Sequence, residues 1–145
     1  MKKLLIIIAS LAMSIAANAF EFDSINLNEP YYKVSQEIAK RGYIYNHERN
    51  CLQGDCHGVK LFLAFNYIDV SRPGMLGQLI VEVPMEGGML EPITRILNVL
   101  YHQIPGENEE VTYSVDPDGT KLSIREKEGY IILTYSTPYY SPKKK

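Results

Sequence analysis

Val59-Lys60-Leu61-Phe62-Leu63-Ala64-Phe65-Asn66-Tyr67-Ile68 is the stretch on which the fold turns. Apolar residues hold every second position from Val59 to Tyr67, the period-two signature of a strand. Phe62, Ala64 and Ile68 fill much of the other face, which predicts a central strand at least partly covered on both sides.

Downstream, Arg72-Pro73-Gly74 turns the chain into a second strand, Leu76 to Val83, with Leu79, Val81 and Val83 on its core side and Pro84 as its stop. Upstream lies a polar loop holding Cys51 and Cys56, preceded by a short strand at Tyr43-Ile44-Tyr45. Before it, Tyr31, Val34 and Ile38 recur at helical spacing. Asn28 suits the N-cap, Glu29-Pro30 the first turn and Gly42 the end, so helix one is expected over about 29–41.

The second half has the same rhythm. Gly87-Gly88 opens a helix carrying Met89, Ile93, Ile96, Leu97 and Leu100 on one face, with Pro105-Gly106 as its end. Val111–Val115, Thr120–Glu126 and Tyr130–Tyr135 read as strands, linked by the turns Asp116-Pro117-Asp118-Gly119 and Glu128-Gly129. Residues 136–145, with Pro138, Pro142 and a Lys-rich end, should be irregular. The expected fold is α+β, with two helices packed on one antiparallel sheet in the order helix, three strands, helix, three strands. Glu29-Pro30, Val34 and Ile38 precede Glu91-Pro92, Ile96 and Leu100 by 62 positions, which suggests a tandem repeat.

Residues 1–19 have the form of a secretory signal peptide. Lys2 and Lys3 lead an apolar run to Ile15, and Ala17-Asn18-Ala19 offers a cleavage site before Phe20. The run is shorter than a spanning helix, which needs roughly 20 residues. No basic stop-transfer cluster follows it. Residues 20–145 then form a single periplasmic or secreted α+β domain with no membrane span after cleavage. The 145-residue chain has a formal charge of −2, which becomes −4 without Lys2 and Lys3. An acidic domain excludes nucleic acid as the expected partner.

The helix–sheet alternation, Tyr101-x-x-x-Pro105, and Leu122-x-Ile124 leading to Tyr130-Ile-Ile-Leu-Thr-Tyr135 resemble small exported bacterial proteins of unknown function. The architecture is also similar to β-lactamase-inhibitor-like and outer-membrane-assembly accessory modules. That resemblance implies an envelope or secreted binding module and transfers no functional residue.

Export to an oxidising compartment favours a disulfide. It would join Cys51 and Cys56, the only two cysteines, and close a loop in which Gly54 helps the turn. A competing reading takes Cys51-x4-Cys56-His57 as a lengthened c-type haem attachment motif, which would make the protein an electron carrier. Another assembles His47, Cys51, Cys56 and His57 as zinc ligands, at a spacing unlike the common finger. No Gly-x-Ser-x-Gly, His-Glu-x-x-His or Gly-rich phosphate loop occurs, and no nucleophile–base pair is suggested. The sequence therefore points to a non-catalytic protein with neither cofactor nor metal, whose partner is another envelope or secreted protein. Inhibitor, immunity and assembly-accessory roles all suit it. Eleven Tyr residues supply contact area with a polar tip. The expected binding patch is the cysteine loop with Tyr43, Tyr45 and His57.

Overall fold

The structure is a computed structural model that describes residues 21–22, 25–56, 58–85, 87–106, 110–115 and 119–142. The expected signal peptide lies outside the described residues. No helix among the described residues is long and apolar enough to cross a membrane.

A two-stranded hairpin comes first, β1 (Glu21–Phe22) with β2 (Ile25–Asn26). Helix α1 (Tyr31–Lys40) follows, then strands β3 (Ile44–Asn46), β4 (Cys51–Cys56), β5 (Val59–Asn66) and β6 (Gln78–Pro84). Helix α2 (Leu90–Leu100) leads into β7 (His102–Ile104), β8 (Val111–Ser114), β9 (Lys121–Lys127) and β10 (Tyr130–Ser136). Strands β3 to β10 form one sheet in the order β3-β4-β5-β6-β10-β9-β8-β7, antiparallel throughout. The α+β class and the antiparallel sheet are those expected. Each helix, however, is followed by four strands rather than three. The strand order is symmetrical about the β6–β10 junction, so each half is a four-stranded meander with its last strand at the centre.

Each helix buries a narrow stripe, Val34 and Ile38 on α1 and Ile93 and Leu97 on α2, at 1% exposure or less. These stripes lie 59 positions apart, so the Glu-Pro pairs at a spacing of 62 are not structural equivalents. Pro30 itself sits at the N-cap of α1, where no side chain caps the helix, and Asn28 is not the cap. Helix α2 ends at Leu100, before Pro105, because Tyr101 is already extended at φ −135° and ψ 160°.

Both helices pack on one face of the sheet. Leu61, Leu63, Leu79, Val81, Val83, Leu122, Ile124, Ile131, Leu133, Tyr113 and Tyr135 meet the helical stripes in a single core. Burying each large aliphatic chain stabilises the fold by about 1.5–3 kcal/mol. Tyr113 ties α2 to β8, its hydroxyl donating to Asn98 Oδ1 at 2.9 Å. The hairpin β9–β10 closes tightly because Lys127 pairs directly with Tyr130. Gly129 takes a φ of 76° there, the positive value that such a turn demands. Residues 116–118 of the expected Asp-Pro-Asp-Gly turn lie outside the described residues. The flanking bond from Val115 N to Thr120 O, 3.1 Å, closes that hairpin.

Candidate functional site

Alternation along each strand leaves a second sheet face on which neither helix packs. The register assigns its residues: Cys51 and Gln53 on β4, Phe62, Ala64 and Asn66 on β5, Gln78, Ile80 and Glu82 on β6. Tyr130, Ile132, Thr134 and Ser136 continue it on β10, Lys121, Ser123, Arg125 and Lys127 on β9, and Thr112 and Ser114 on β8. This open face mixes amides, hydroxyls and cations with a few apolar chains.

One end of the open face is organised by the β3–β4 turn. Asn50 adopts a φ of 51°, a left-handed conformation that Asn tolerates better than most residues. The turn is braced by Arg49 N donating to Asn46 Oδ1 at 3.1 Å and by the Tyr45 hydroxyl donating to Asn50 Oδ1. Asn46 Nδ2 donates to Gln53 Oε1 at 2.8 Å and holds β3 to β4. The turn thereby sends Arg49 back across the sheet. Its guanidinium lies 4.0 Å from the Phe62 ring centroid and 5.0 Å from that of Tyr130. It donates to Glu82 Oε2 at 2.6 Å and to the Tyr130 hydroxyl at 3.1 Å. Burial pulls the Arg49 pKa down, but the bonds to Tyr130 and Glu82 outweigh it and hold the pKa above its ordinary value. The cation is therefore permanent, and a partly desolvated stack of this kind is worth about 1–2 kcal/mol. Beside it opens a cleft of about 260 Å³ whose lining includes Asn50, Cys51, Ala64 and Ile80.

The other end is a polar belt. Asn66 Nδ2 donates to Gln78 Oε1 at 3.0 Å, and Gln78 Nε2 donates to Ser136 Oγ at 3.0 Å. Thr112 Oγ1 and Ser123 Oγ share a 2.9 Å bond. A small cleft of about 80 Å³, edged by Pro105, Gly106, Glu110 and Tyr140, lies over these hydroxyls.

Among the described residues, those expected to form a cysteine-loop site do not come together. Cys51 and Cys56 are the two ends of strand β4, not the feet of a loop, and no disulfide joins them. Five residue-to-residue steps along the strand separate their Cα atoms by about 16 Å, whereas a disulfide needs less than about 7 Å. The odd spacing also puts them on opposite faces. Cys56 is in the helix-side core at 2% exposure, and Cys51 lines the open-face cleft. The same separation prevents both thiols from reaching one haem or one zinc ion. Among the described residues, no group of three or more His, Cys, Asp or Glu converges on a metal position.

Tyr43 is a core residue at 5% exposure, with its ring packed over Gly54. Tyr45 is 49% exposed and stands edge-on to His47, with ring centroids 4.7 Å apart. His57 lies outside the described residues. Gly54 is mid-strand and turns nothing. The sequence reading missed the Arg49–Glu82–Phe62–Tyr130 cluster, whose members span 81 positions in the chain. The one available signal was Gly58 just before the alternating run. A two-residue turn ending in Gly marks a hairpin, which requires a strand at 51–56.

The chain matches no protein-family model, no curated protein and no solved structure.

Proposed function

We propose that the protein is a non-catalytic binding protein of the cell envelope or extracellular space, of the inhibitor, immunity or assembly-accessory type, and that it binds a protein partner through the open face of its sheet. One observation carries this reading. An eight-stranded sheet keeps both helices on one face and presents an organised surface of amides, hydroxyls, cations and rings on the other. Arg49 is already fixed against two rings and a carboxylate, so little side-chain freedom remains to be lost on association. Tyr45 braces the turn that carries Arg49, from the helix-side face of β3 where it stands opposite Leu52. Export through residues 1–19 is part of the same proposal, as is descent of the two halves from one helix-plus-meander unit. The separation of Cys51 from Cys56 along β4 leaves the haem-carrier alternative without support.

The test is affinity capture from envelope extract with two single variants. Ala64→Lys places a long cation in the open-face cleft. Val99→Lys changes a residue that is 85% exposed on α2. The expected result is one stoichiometric partner retained by the parent chain and by Val99→Lys, and lost by Ala64→Lys with its unfolding midpoint preserved. Equal capture by all three chains would place binding elsewhere.

A further inference from the structure

The charges of the open face do not cancel evenly. Asp55 stands opposite Lys60 in the β4–β5 register, and Glu82 is bonded to Arg49. Glu110 borders the cleft that Lys121 and Ser123 also line, a single carboxylate beside three cations on β9. Lys121, Arg125 and Lys127 alternate with Leu122, Ile124 and Glu126. The first two of those intervening residues are core, and Glu126 accepts a bond from Gly88 N on the helix side. The three cations therefore project together from the open face. All three are exposed, and none is ion-paired to a described carboxylate. The register sets hydroxyls beside them: Ser136 and Ser114 flank Lys121, and Thr134 and Thr112 flank Ser123. The chain as a whole has 17 acidic and 15 basic residues, so this column is not a by-product of a basic composition.

We propose that β9 is the strand of the open face that engages the partner, and that it does so by receiving an extended acidic peptide segment along Lys121, Arg125 and Lys127. This rests on the binding reading above and adds the chemistry of what is bound. Carboxylates on alternate residues of an extended segment recur every ~7 Å. Arg125 and Lys127 are two residues apart on β9, and Lys121 and Arg125 four, so their spacing is one and two such repeats. The column is about 20 Å long and one strand wide. That is the footprint of a single extended chain. A nucleic-acid duplex or an anionic bilayer covers far more surface and would meet the net negative charge of the rest of the molecule.

The probe is labelled poly-L-glutamate, followed by fluorescence anisotropy at low ionic strength. The chain should bind it, and affinity should fall about tenfold as salt rises to physiological strength. Charge reversal in the triple variant K121E/R125E/K127E should weaken binding at least about tenfold. The milder K121Q/R125Q/K127Q, for use if the reversal compromises folding, should move in the same direction. Lys33→Glu with Lys40→Glu, two exposed sites on α1, should bind like the parent. The proposal is overturned by absence of binding at low salt, or by equal loss in the α1 variant. Tighter binding of single-stranded oligothymidine or of phosphatidylserine vesicles also overturns it. If the captured partner depends on Ala64 but not on β9, the open-face reading stands and the acidic ligand falls. If capture depends on neither, the open-face reading itself falls.

Discussion

Gly54→Ala separates what a strand wants locally from what this sheet has built. A mid-strand Gly costs about 0.5–1 kcal/mol relative to Ala, so on propensity alone the substitution should stabilise. Gly54 does not sit in the left-handed region, so no backbone strain opposes the change. The packing does. A Cβ at position 54 would fall 2.5, 2.6 and 2.7 Å from Cδ2, Cγ and Cε2 of Tyr43. Real Cβ atoms do not approach ring carbons so closely, and Tyr43 is a buried part of the core with little room to yield. Forcing a methyl group into such a contact costs about 1–3 kcal/mol. The net expectation is destabilisation by about 1–2 kcal/mol, or about 4–8 °C in the unfolding midpoint for a domain of this size. Thermal unfolding followed by circular dichroism measures it, and a double-mutant cycle with Tyr43→Leu isolates the contact. In the Tyr43→Leu background Gly54→Ala should become neutral or stabilising. A raised midpoint for Gly54→Ala alone, or an unchanged penalty in the Tyr43→Leu background, would refute the close approach of Tyr43 to β4.

Three further outcomes are expected. Intact mass under non-reducing conditions should show both cysteines reduced. Native alkylation should be faster at Cys51 than at Cys56, which is 2% exposed; a mass lower by the two hydrogens of a disulfide would contradict the strand at 51–56. Burial raises the pKa of Tyr113 and, more strongly, of Tyr135 above the ordinary tyrosine value. The folded state therefore keeps protons that the unfolded chain gives up, so stability is complete below about pH 10 and falls as pH rises beyond it. Tyr135→Phe should flatten that alkaline loss in urea titrations across about pH 9–11, and an unchanged slope would remove Tyr135 as its source. Leu63→Ala, at a site 1% exposed, should destabilise by about 2–5 kcal/mol. The Tyr45 side chain is 49% exposed. Its truncation to Ala should cost no more than about 1 kcal/mol. Comparable losses from the two would place Tyr45 in the core.

Much of the fold was legible because its core strands carry their own period. Val59 to Phe65 and Leu79 to Val83 alternate so cleanly that the structure shifts their ends by only a residue or two. The helices were legible for the same reason, since Val34 and Ile38, and Ile93 and Leu97, are four apart. Strand β4 was not legible. Its helix-side positions are Leu52, Gly54 and Cys56, and the middle one has no side chain because a ring from the neighbouring chain segment fills the space. The apolar period is thus supplied by two segments together and is invisible in either. Strand β7 escaped for a different reason. It is three residues long, too short to establish a period. The Arg49 cluster was illegible because it unites a turn with β5, β6 and β10, and only the pairing of β6 with β10 brings those residues together.

The symmetrical strand order also governs how the chain acquires its shape. Strand β6 completes the first meander, yet its inner neighbour is β10, which begins only at Tyr130. A polypeptide released from its amino end must therefore carry β6 with a bare seven-residue edge until almost everything else has emerged. Contacts so distant in sequence form slowly, and an open apolar edge is a template for pairing with another molecule. Strand β10 acts as a keystone. A chain cut short after β9 is not a smaller version of the protein but two half-sheets with facing sticky seams, and late premature stops should yield aggregates rather than truncated soluble products.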